Sequence, residues 1–330
     1  MSISQPTLPV VRPRIVVMGG GTGLSVMLRG LKEKPLDITA IVTVADDGGS
    51  SGILRDELKM PPPGDIRNVL TALADVEPLL SDMLKYRFQK GEGLAGHSLG
   101  NLILAAMTDI SGDFVTAVRE LSRVFAVRGQ VLPAAEQAVI LHAEMEDGSI
   151  VTGESKIPEA GKKIKRIFLE PDHVEPLPDA VLAIEQADAI LIGPGSLYTS
   201  LLPNLLVHKL AEAMLNSKAL KLFICNVMTQ PGETDHYTVS DHLNAIYEHV
   251  GHRLFDYVIV NNDPIPLKMQ KRYAEQGAKP VILDLETVES LGYKVIADKL
   301  VLYGTYLRHD ADKLSHHIYE QVKKSMLSKG

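Results

Sequence analysis

Tryptophan is absent from the 330-residue chain, and Phe and Tyr together bring aromatics to only 5%. A core without large rings has to be built from Val, Ile, Leu, Ala and Met, which suits a parallel sheet buried under helices on both faces. Cysteine is as scarce. Cys225 stands alone inside Leu222-Phe223-Ile224-Cys225, so no intramolecular disulfide forms, and the apolar run reads as a buried strand thiol rather than a nucleophile. No apolar run reaches the roughly 18 residues of a membrane-crossing helix, and residues 1–13 lack the apolar segment of a signal peptide. A cytoplasmic protein without membrane insertion, with a flexible tail over residues 1–13, is expected. Basic excess is missing too: the net charge of −7 argues against nucleic acid or an anionic membrane as partner. There is no metal-spaced His and Cys cluster, no G-x-S-x-G and no P-loop lysine, which disfavours a zinc enzyme, a serine hydrolase and a P-loop ATPase.

What the chain does have is glycine at the ends of apolar runs. Arg14-Ile15-Val16-Val17-Met18 closes on Gly19-Gly20-Gly21-Thr22-Gly23 and opens into a segment with Leu24, Met27, Leu28 and Leu31 at helical spacing. That is strand, tight turn, helix. Glycines let the backbone approach a ligand, and the helix behind them offers free N–H groups and a partial positive charge. A phosphate or pyrophosphate is the expected guest of Gly19, Gly20, Gly21, Thr22 and Gly23. An ordinary tight turn is the competing reading, since Leu24 stands where G-x-G-x-x-G would place its third glycine.

Along the chain, Ile38 to Val44 is a β-branched second strand that ends in the loop Asp46-Asp47-Gly48-Gly49-Ser50-Ser51-Gly52. After Pro61-Pro62-Pro63-Gly64, Asp65 is an N-cap for a helix with Ile66, Val69, Leu70 and Leu73 on one face. Helical signal continues over 76–88, 98–107 and 113–125, a helical insertion of about 65–127 that interrupts strand and helix alternation. Ala138 to Met145, the Asp147-Gly148 turn and Ser149 to Thr152 make an antiparallel hairpin, with another strand over 164–169. Lys162, Lys163, Lys165 and Arg166 read as its solvated side. Alternation then resumes: helices over 180–187, 205–216, 239–250, 266–276 and 311–327, strands over 188–192, 220–225 and 257–260, and a last strand at Pro280-Val281-Ile282-Leu283. The fold class is α/β: a Rossmann-like, doubly wound, mostly parallel sheet with helices on both faces. Residues 14–330 read as a single nucleotide-binding domain.

In such a sheet ligands bind outside the carboxyl ends of the strands. The chemistry-bearing residues sit there repeatedly: Gly19 to Gly23, Asp46 and Asp47, Gly193-Pro194-Gly195-Ser196, Asn226, and Asn261-Asn262. Asp46 and Asp47 suit Mg²⁺ held between carboxylate and phosphate oxygens, or a ribose hydroxyl, or an Asp-Gly turn. Gly193, Gly195 and Ser196 suit a second anion loop or a plain strand-to-helix connection. Arg67 in the first turn of its helix opposes the dipole, so an anionic ligand or a pairing with Asp46, Asp47 or Asp65 is expected. His97-Ser98-Leu99-Gly100-Asn101 puts an imidazole, a hydroxyl and an amide at one helix start, unless Ser98 merely caps the helix and His97 faces solvent.

Gly19 to Gly23, Asp46-Asp47-Gly48-Gly49-Ser50, Pro63-Gly64-Asp65-Ile66-Arg67, His97 to Asn101, Gly193-Pro194-Gly195-Ser196-Leu197-Tyr198-Thr199-Ser200 and Gln230-Pro231-Gly232-Glu233-Thr234 occur in that order. Together they resemble the YvcK family of bacterial gluconeogenesis factors (UPF0052), a branch of the superfamily of the 2-phospho-L-lactate transferase CofD. The resemblance implies a cytoplasmic Rossmann-like protein tied to growth on gluconeogenic carbon, to cell shape and to cell-wall precursor supply. It implies a UDP-sugar such as UDP-N-acetylglucosamine or UDP-glucose as ligand. CofD-type relatives instead transfer a phospholactyl group from a guanosine diphosphate donor to a deazaflavin, with Mg²⁺.

Two expectations follow. In the first the chain is a regulatory binding protein: the glycine loops hold a diphosphate, Asn226 and Asn261 read polar edges of base or sugar, and Asp46 or Asp47 contacts ribose or a metal. Occupancy then biases a helical cap or an interface with a regulatory protein partner or, in a homo-oligomer, a second copy. In the second it is a transferase: Asp46 or Asp47 holds Mg²⁺, Arg67 and the glycine loops neutralise the leaving diphosphate, and His97 or an Asp positions the acceptor; Asn101 is a further ligand contact. NAD bound in the same crevice is a third possibility, carried by the first strand-turn-helix and the acid after the second strand.

Overall fold

The computed structural model describes residues 12–75, 78–304 and 307–329. Residues 1–11 of the expected tail, and Val76 at the start of one expected helix, lie outside the described residues. In chain order the strands are β1 (Arg14–Gly19), β2 (Asp37–Val42), β3 (Gln130–Pro133), β4 (Ile140–Met145), β5 (Ile150–Thr152), β6 (Ile164–Glu170), β7 (Ala189–Ile192), β8 (Leu220–Ile224), β9 (Tyr257–Asn261), β10 (Lys294–Asp298), β11 (Val301–Leu302) and β12 (Arg308–His309). In β1 the side chains alternate between two cores, Ile15 and Val17 entering one and Val16 and Met18 the other. A strand apolar on both faces must be covered on both faces, and here it is.

Seven strands form one parallel sheet in the order β10-β9-β8-β7-β1-β2-β3. The face bearing Ile15 and Val17 is covered by α1 (Gly21–Leu31), α2 (Gly49–Leu58), α3 (Pro63–Leu73), α4 (Pro78–Lys85), α5 (Leu99–Ser111) and α6 (Phe114–Val124). The opposite face is covered by α7 (Pro178–Gln186), α8 (Leu202–Leu206), α9 (Leu210–Asn216) and α10 (Val239–Val250). Next come α11 (Leu267–Ala274), which buries no residue, and α12 (Leu285–Ser290), whose Val288 joins that second face; α13 (Ala311–Lys329) returns to the first. On α1 the spacing is decisive: Leu24, Met27, Leu28 and Leu31 are fully buried, at about 1.5–3 kcal/mol each.

β5-β4-β6 make a separate antiparallel sheet on the second face. Its basic edge is solvated and paired: Lys162 with Asp147, Lys163 with Glu146, Lys165 and Arg166 with Glu144. β11 and β12 form a short antiparallel ladder.

Four local expectations are corrected. Pro280 to Leu283 carries only isolated bridges, Met228 with Pro280 and Thr238 with Ile282, and β10 is the last strand of the sheet. The helix expected over 205–216 is interrupted between α8 and α9, where Lys209 adopts φ 68°. Asp65 is not an N-cap: Pro63 takes the first helical position, as a residue without an N–H readily does, and Asp65 sits inside the first turn. Gly49 already begins α2, so the glycine and serine run after Asp47 is a helix start and not all loop. Among the described residues no single helix is long and apolar enough to cross a membrane.

Candidate functional site

β1 pairs with β2 on one side and β7 on the other, and the chain winds outward in both directions from that pair. The crevice at such a switch point is the place for a ligand. A cleft of about 850 Å³ opens there. Its walls bring together Gly20, Gly21, Thr22 and Gly23 after β1 with Gly195 and Ser196 after β7 and Asn226 after β8. Thr22, Val26 and Arg29, at i, i+4 and i+7, present one face of α1 to it.

The two glycine loops touch. A Cβ on Gly23 would stand 2.9 Å from the Pro194 carbonyl oxygen, a distance that real Cβ atoms do not tolerate. Asn226 fixes the second loop: its Nδ2 donates to Gly195 O at 2.7 Å and its Oδ1 accepts from Gly195 N at 3.2 Å. Its amide is therefore spent on loop shape while its side chain lines the cleft. Gly19 lies at the strand end, its carbonyl accepting from Thr43 N at 3.1 Å and Asn204 Nδ2 at 3.2 Å. Gly193 donates its N–H to Met18 O at 3.3 Å. Both hold the rim together behind the lining residues.

Each loop meets a carboxylate of the protein itself. Asp65 reaches over Gly20, where a Cβ would lie 2.4 Å from its Oδ2, and faces the Gly21 amide at the start of α1. Burial, then the neighbouring Asp46, raises Asp65 to about 6. Glu233 accepts Tyr198 N at 3.1 Å and Thr199 Oγ1 at 3.1 Å after the second loop, and burial raises it to about 7. Glu154, from the loop after β5, approaches the same Thr199 hydroxyl; burial and then Asp46, Asp65 and Glu233 push it up to about 8. Three carboxyls whose ionisation burial disfavours thus sit behind the loops.

Asp46 and Asp47 do not act as a pair. Asp46 Oδ1 accepts Gly48 N at 2.9 Å, and Asp47 Oδ1 accepts Ser155 N at 2.8 Å on the antiparallel sheet's loop, so the adjacent side chains serve different neighbours. They do not fit a shared Mg²⁺, and among the described residues no three His, Cys, Asp or Glu side chains converge on a metal position. The loop role of Asp47 explains its place in the motif: it holds the segment that delivers Glu154.

Arg67, His97 and Asn101 gather in a neighbouring cluster and do not line the cleft. Ser50 Oγ lies 3.0 Å from His97 Nδ1 and accepts Asn101 Nδ2 at 3.1 Å, while Arg67 donates to Ser98 Oγ at 2.8 Å and to Asn68 Oδ1 at 2.7 Å. His97 is buried, not facing solvent, and Ser98 caps α5 through Asn101 N at 3.2 Å. Asn101 Oδ1 and Arg67 Nε are buried without a protein partner. Asn261 is also outside the cleft, its amide closing its own turn: Oδ1 accepts Leu300 N at 3.0 Å and Nδ2 donates to Asp263 O at 3.1 Å.

The cations that do line the cleft are Arg29, Lys85 and Arg308, none of them evident from motif reading. Arg29 lies in the last turn of α1 and makes no ion pair among the described residues; burial and then Arg308 lower its pKa. Two guanidiniums that line one cleft, each influencing the other and neither in an ion pair among the described residues, form a site for an anion. Arg308 reaches it because His309 Nε2 donates to Cys225 O at 3.2 Å, fixing β12 over the end of β8; burial holds that imidazole at about 4, hence neutral.

Comparison with known proteins agrees with this architecture. Residues 15–301 match the family model described as 2-phospho-L-lactate transferase CofD. The chain is 58% identical over 314 residues to the gluconeogenesis factor of Bacillus subtilis (strain 168), spanning 95% of this chain and 99% of that protein. It is 50% identical over 305 residues to the gluconeogenesis factor of Listeria innocua, covering 92% and 94%. A crystal structure of a UPF0052-family protein from Bacillus halodurans superposes with a TM-score of 0.92 at 57% identity, over 94% of this chain and 99% of that one. The chain belongs to the CofD family, in the UPF0052 branch of the gluconeogenesis factors.

Proposed function

We propose that the chain is a cytoplasmic regulatory factor that binds a nucleotide-sugar, UDP-N-acetylglucosamine or UDP-glucose, and through it serves gluconeogenic growth, cell shape and cell-wall precursor supply. One observation carries the binding reading: Arg29 and Arg308, without ion-pair partners among the described residues, face a cleft of about 850 Å³ between two glycine loops at the sheet's switch point. That volume falls within the range of about 300–1,000 Å³ for small-molecule sites. An anion of diphosphate size answers both the paired guanidiniums and the first-turn amides of Thr22 and Gly23, which have no partner within the helix. The gluconeogenic setting follows the printed name of the gluconeogenesis factors that the chain resembles, and the choice of a uridine nucleotide and the cell-wall setting follow the motif resemblance to the YvcK family. Calorimetric titration with UDP-N-acetylglucosamine, UDP-glucose, GDP and NAD, followed by recovery of the nucleotide, is the test. Saturable UDP-sugar binding with the ligand returned intact is expected.

A transferase acting on a nucleotide-diphosphate-linked donor is the second reading, favoured by the match of residues 15–301 to the family model described as 2-phospho-L-lactate transferase CofD. Release of free nucleotide from a donor would select this reading over the first.

A further inference from the structure

We propose that the Arg29–Arg308 pair is a bridge between two subsites, and that a second cavity beyond it, walled by Leu302 and Tyr303, holds the sugar of a nucleotide-diphosphate sugar. The inference rests on the nucleotide-sugar reading and assigns an orientation to the ligand within it.

The second cavity has a volume of about 460 Å³ and shares Val26, Arg29, Arg308 and His309 with the main cleft. The two spaces are therefore one groove crossed by the arginine pair. On the cleft side lie the glycine loops and polar groups such as Thr229 and Gln230. On the far side lie Leu302, Tyr303 and Gly304. An anion bound by both guanidiniums has one substituent on each side.

The far wall is built and held. Register places Leu302 directly opposite Arg308 in the β11–β12 ladder, so the apolar side chain and the cation come to the cavity together. Three bonds fix that ladder to the rim: His309 Nε2 to Cys225 O at 3.2 Å, Leu307 N to Tyr273 Oη at 2.7 Å, and Tyr303 Oη to Asp263 Oδ2 at 2.6 Å. Because the phenol is committed to Asp263, what Tyr303 offers the cavity is carbon. Leu302 and Tyr303 remain 53% and 47% exposed, apolar surface that the fold does not cover.

These features select the ligand's chemistry. Charge is met at the arginine pair, and among the described residues the rest of the cavity is lined by Val26, Leu302, Tyr303, Gly304, His309 and Ala311, with no carboxylate. A neutral ring with one C–H face and several hydroxyls suits such a wall, since apolar contact and a few polar groups are what fix a small ligand in place. A hexose joined to the outer phosphate has that form.

The test compares UDP with UDP-N-acetylglucosamine on the full chain and on Leu302→Ser, Tyr303→Ala and Tyr303→Phe, the last removing the Asp263 bond while keeping the ring, each with its melting temperature measured. Wild type is expected to bind the conjugate about tenfold more tightly than UDP. Leu302→Ser should bind UDP within twofold of wild type and lose most of the conjugate's advantage, and Tyr303→Ala should lose more of that advantage than Tyr303→Phe. If the advantage persists in Leu302→Ser and is equal in the two Tyr303 variants, or if UDP and the conjugate weaken equally, the sugar does not lie in this cavity. Failure of the wild type to bind either probe overturns the nucleotide-sugar reading itself, and this assignment with it.

Discussion

The carboxyl of Asp65 on α3 lies over Gly20, where a Cβ would stand 2.4 Å from its Oδ2, and faces the backbone amide of Gly21, the first residue of α1. The helix start that glycine motifs reserve for a phosphate is thus partly filled by the protein's own anion, and Gly20 is glycine because that carboxylate lies where a Cβ would be. Burial and Asp46 raise Asp65 to about 6, above the ordinary value of about 3.9. Its stabilising contribution is therefore full below about pH 4 and is lost as pH rises to 6. Above pH 6 the ionised group is a net cost of at most about 3 kcal/mol, at about 1.4 kcal/mol per unit. Asp65→Asn should raise the melting temperature at pH 8 more than at pH 4, and tighten UDP-sugar binding about tenfold. Equal melting shifts at both pH values would contradict this account of Asp65.

Glu233 is the matching carboxylate at the second loop, 4% exposed and bonded to Tyr198 N and Thr199 Oγ1. Truncation leaves those donors unpaired in the interior. Glu233→Ala should cost about 2–4 kcal/mol by denaturant unfolding, and Glu233→Gln about 1–2 kcal/mol, because its one amide oxygen replaces only one of the two accepting oxygens and its NH2 meets a donor at the other. A Gln variant as stable as wild type would mean that one acceptor is enough to hold the loop.

These two carboxylates show where sequence reasoning reaches and where it stops. The strand of Ile15 to Met18, the turn and the helix behind it were legible because alternation and 3.6-residue spacing are local properties. So was the parallel core, from β-branched runs that end in glycine, Asp or Asn. β3 was not, being four residues that close on Pro133, nor was β10, an edge strand with Lys294 and Asp298 at its ends. Pro280 to Leu283 has strand composition but pairs only through isolated bridges. Within the site, Gly20, Gly23, Gly195, Ser196 and Asn226 converge as their positions after strands suggested. Asn261 sits after a strand too, yet its amide serves its own turn. Arg29 and Arg308 carried no signal, because a cation in a helix's last turn is ordinary dipole chemistry and Arg308 lies in a two-residue strand. Only the folded chain sets them side by side.

The contact between the glycine loops makes Gly23 and Gly195 unequal to their neighbours. Gly23→Ala forces a Cβ toward Pro194 O and should lower stability by about 1–3 kcal/mol while weakening ligand binding; Thr22→Ala, at an exposed position, should leave the melting temperature unchanged. A bulky residue at Gly195 meets Leu201 Cδ2 at 3.1 Å already at its Cβ, so loss of binding there will come with loss of stability.

Asn226→Ala separates the two effects more cleanly. It removes the two bonds that clamp Gly195 without adding bulk. Ligand affinity should fall about tenfold with a stability change near 1 kcal/mol, measured by titration and thermal unfolding side by side. Unchanged affinity would mean that the second loop keeps its shape unaided.

Titration of UDP-N-acetylglucosamine into the wild-type chain and into Arg29→Ala and Arg308→Ala tests the central claim most directly. Neither arginine makes an ion pair among the described residues and both reach the surface, Arg29 with its guanidinium partly buried, so the variants should melt within about 1 kcal/mol of wild type. The account predicts one site per chain in the wild type, affinity at least tenfold weaker in each variant, and affinity in the wild type that falls as salt is raised. No saturable binding to the wild type, or binding that neither substitution weakens, would contradict it.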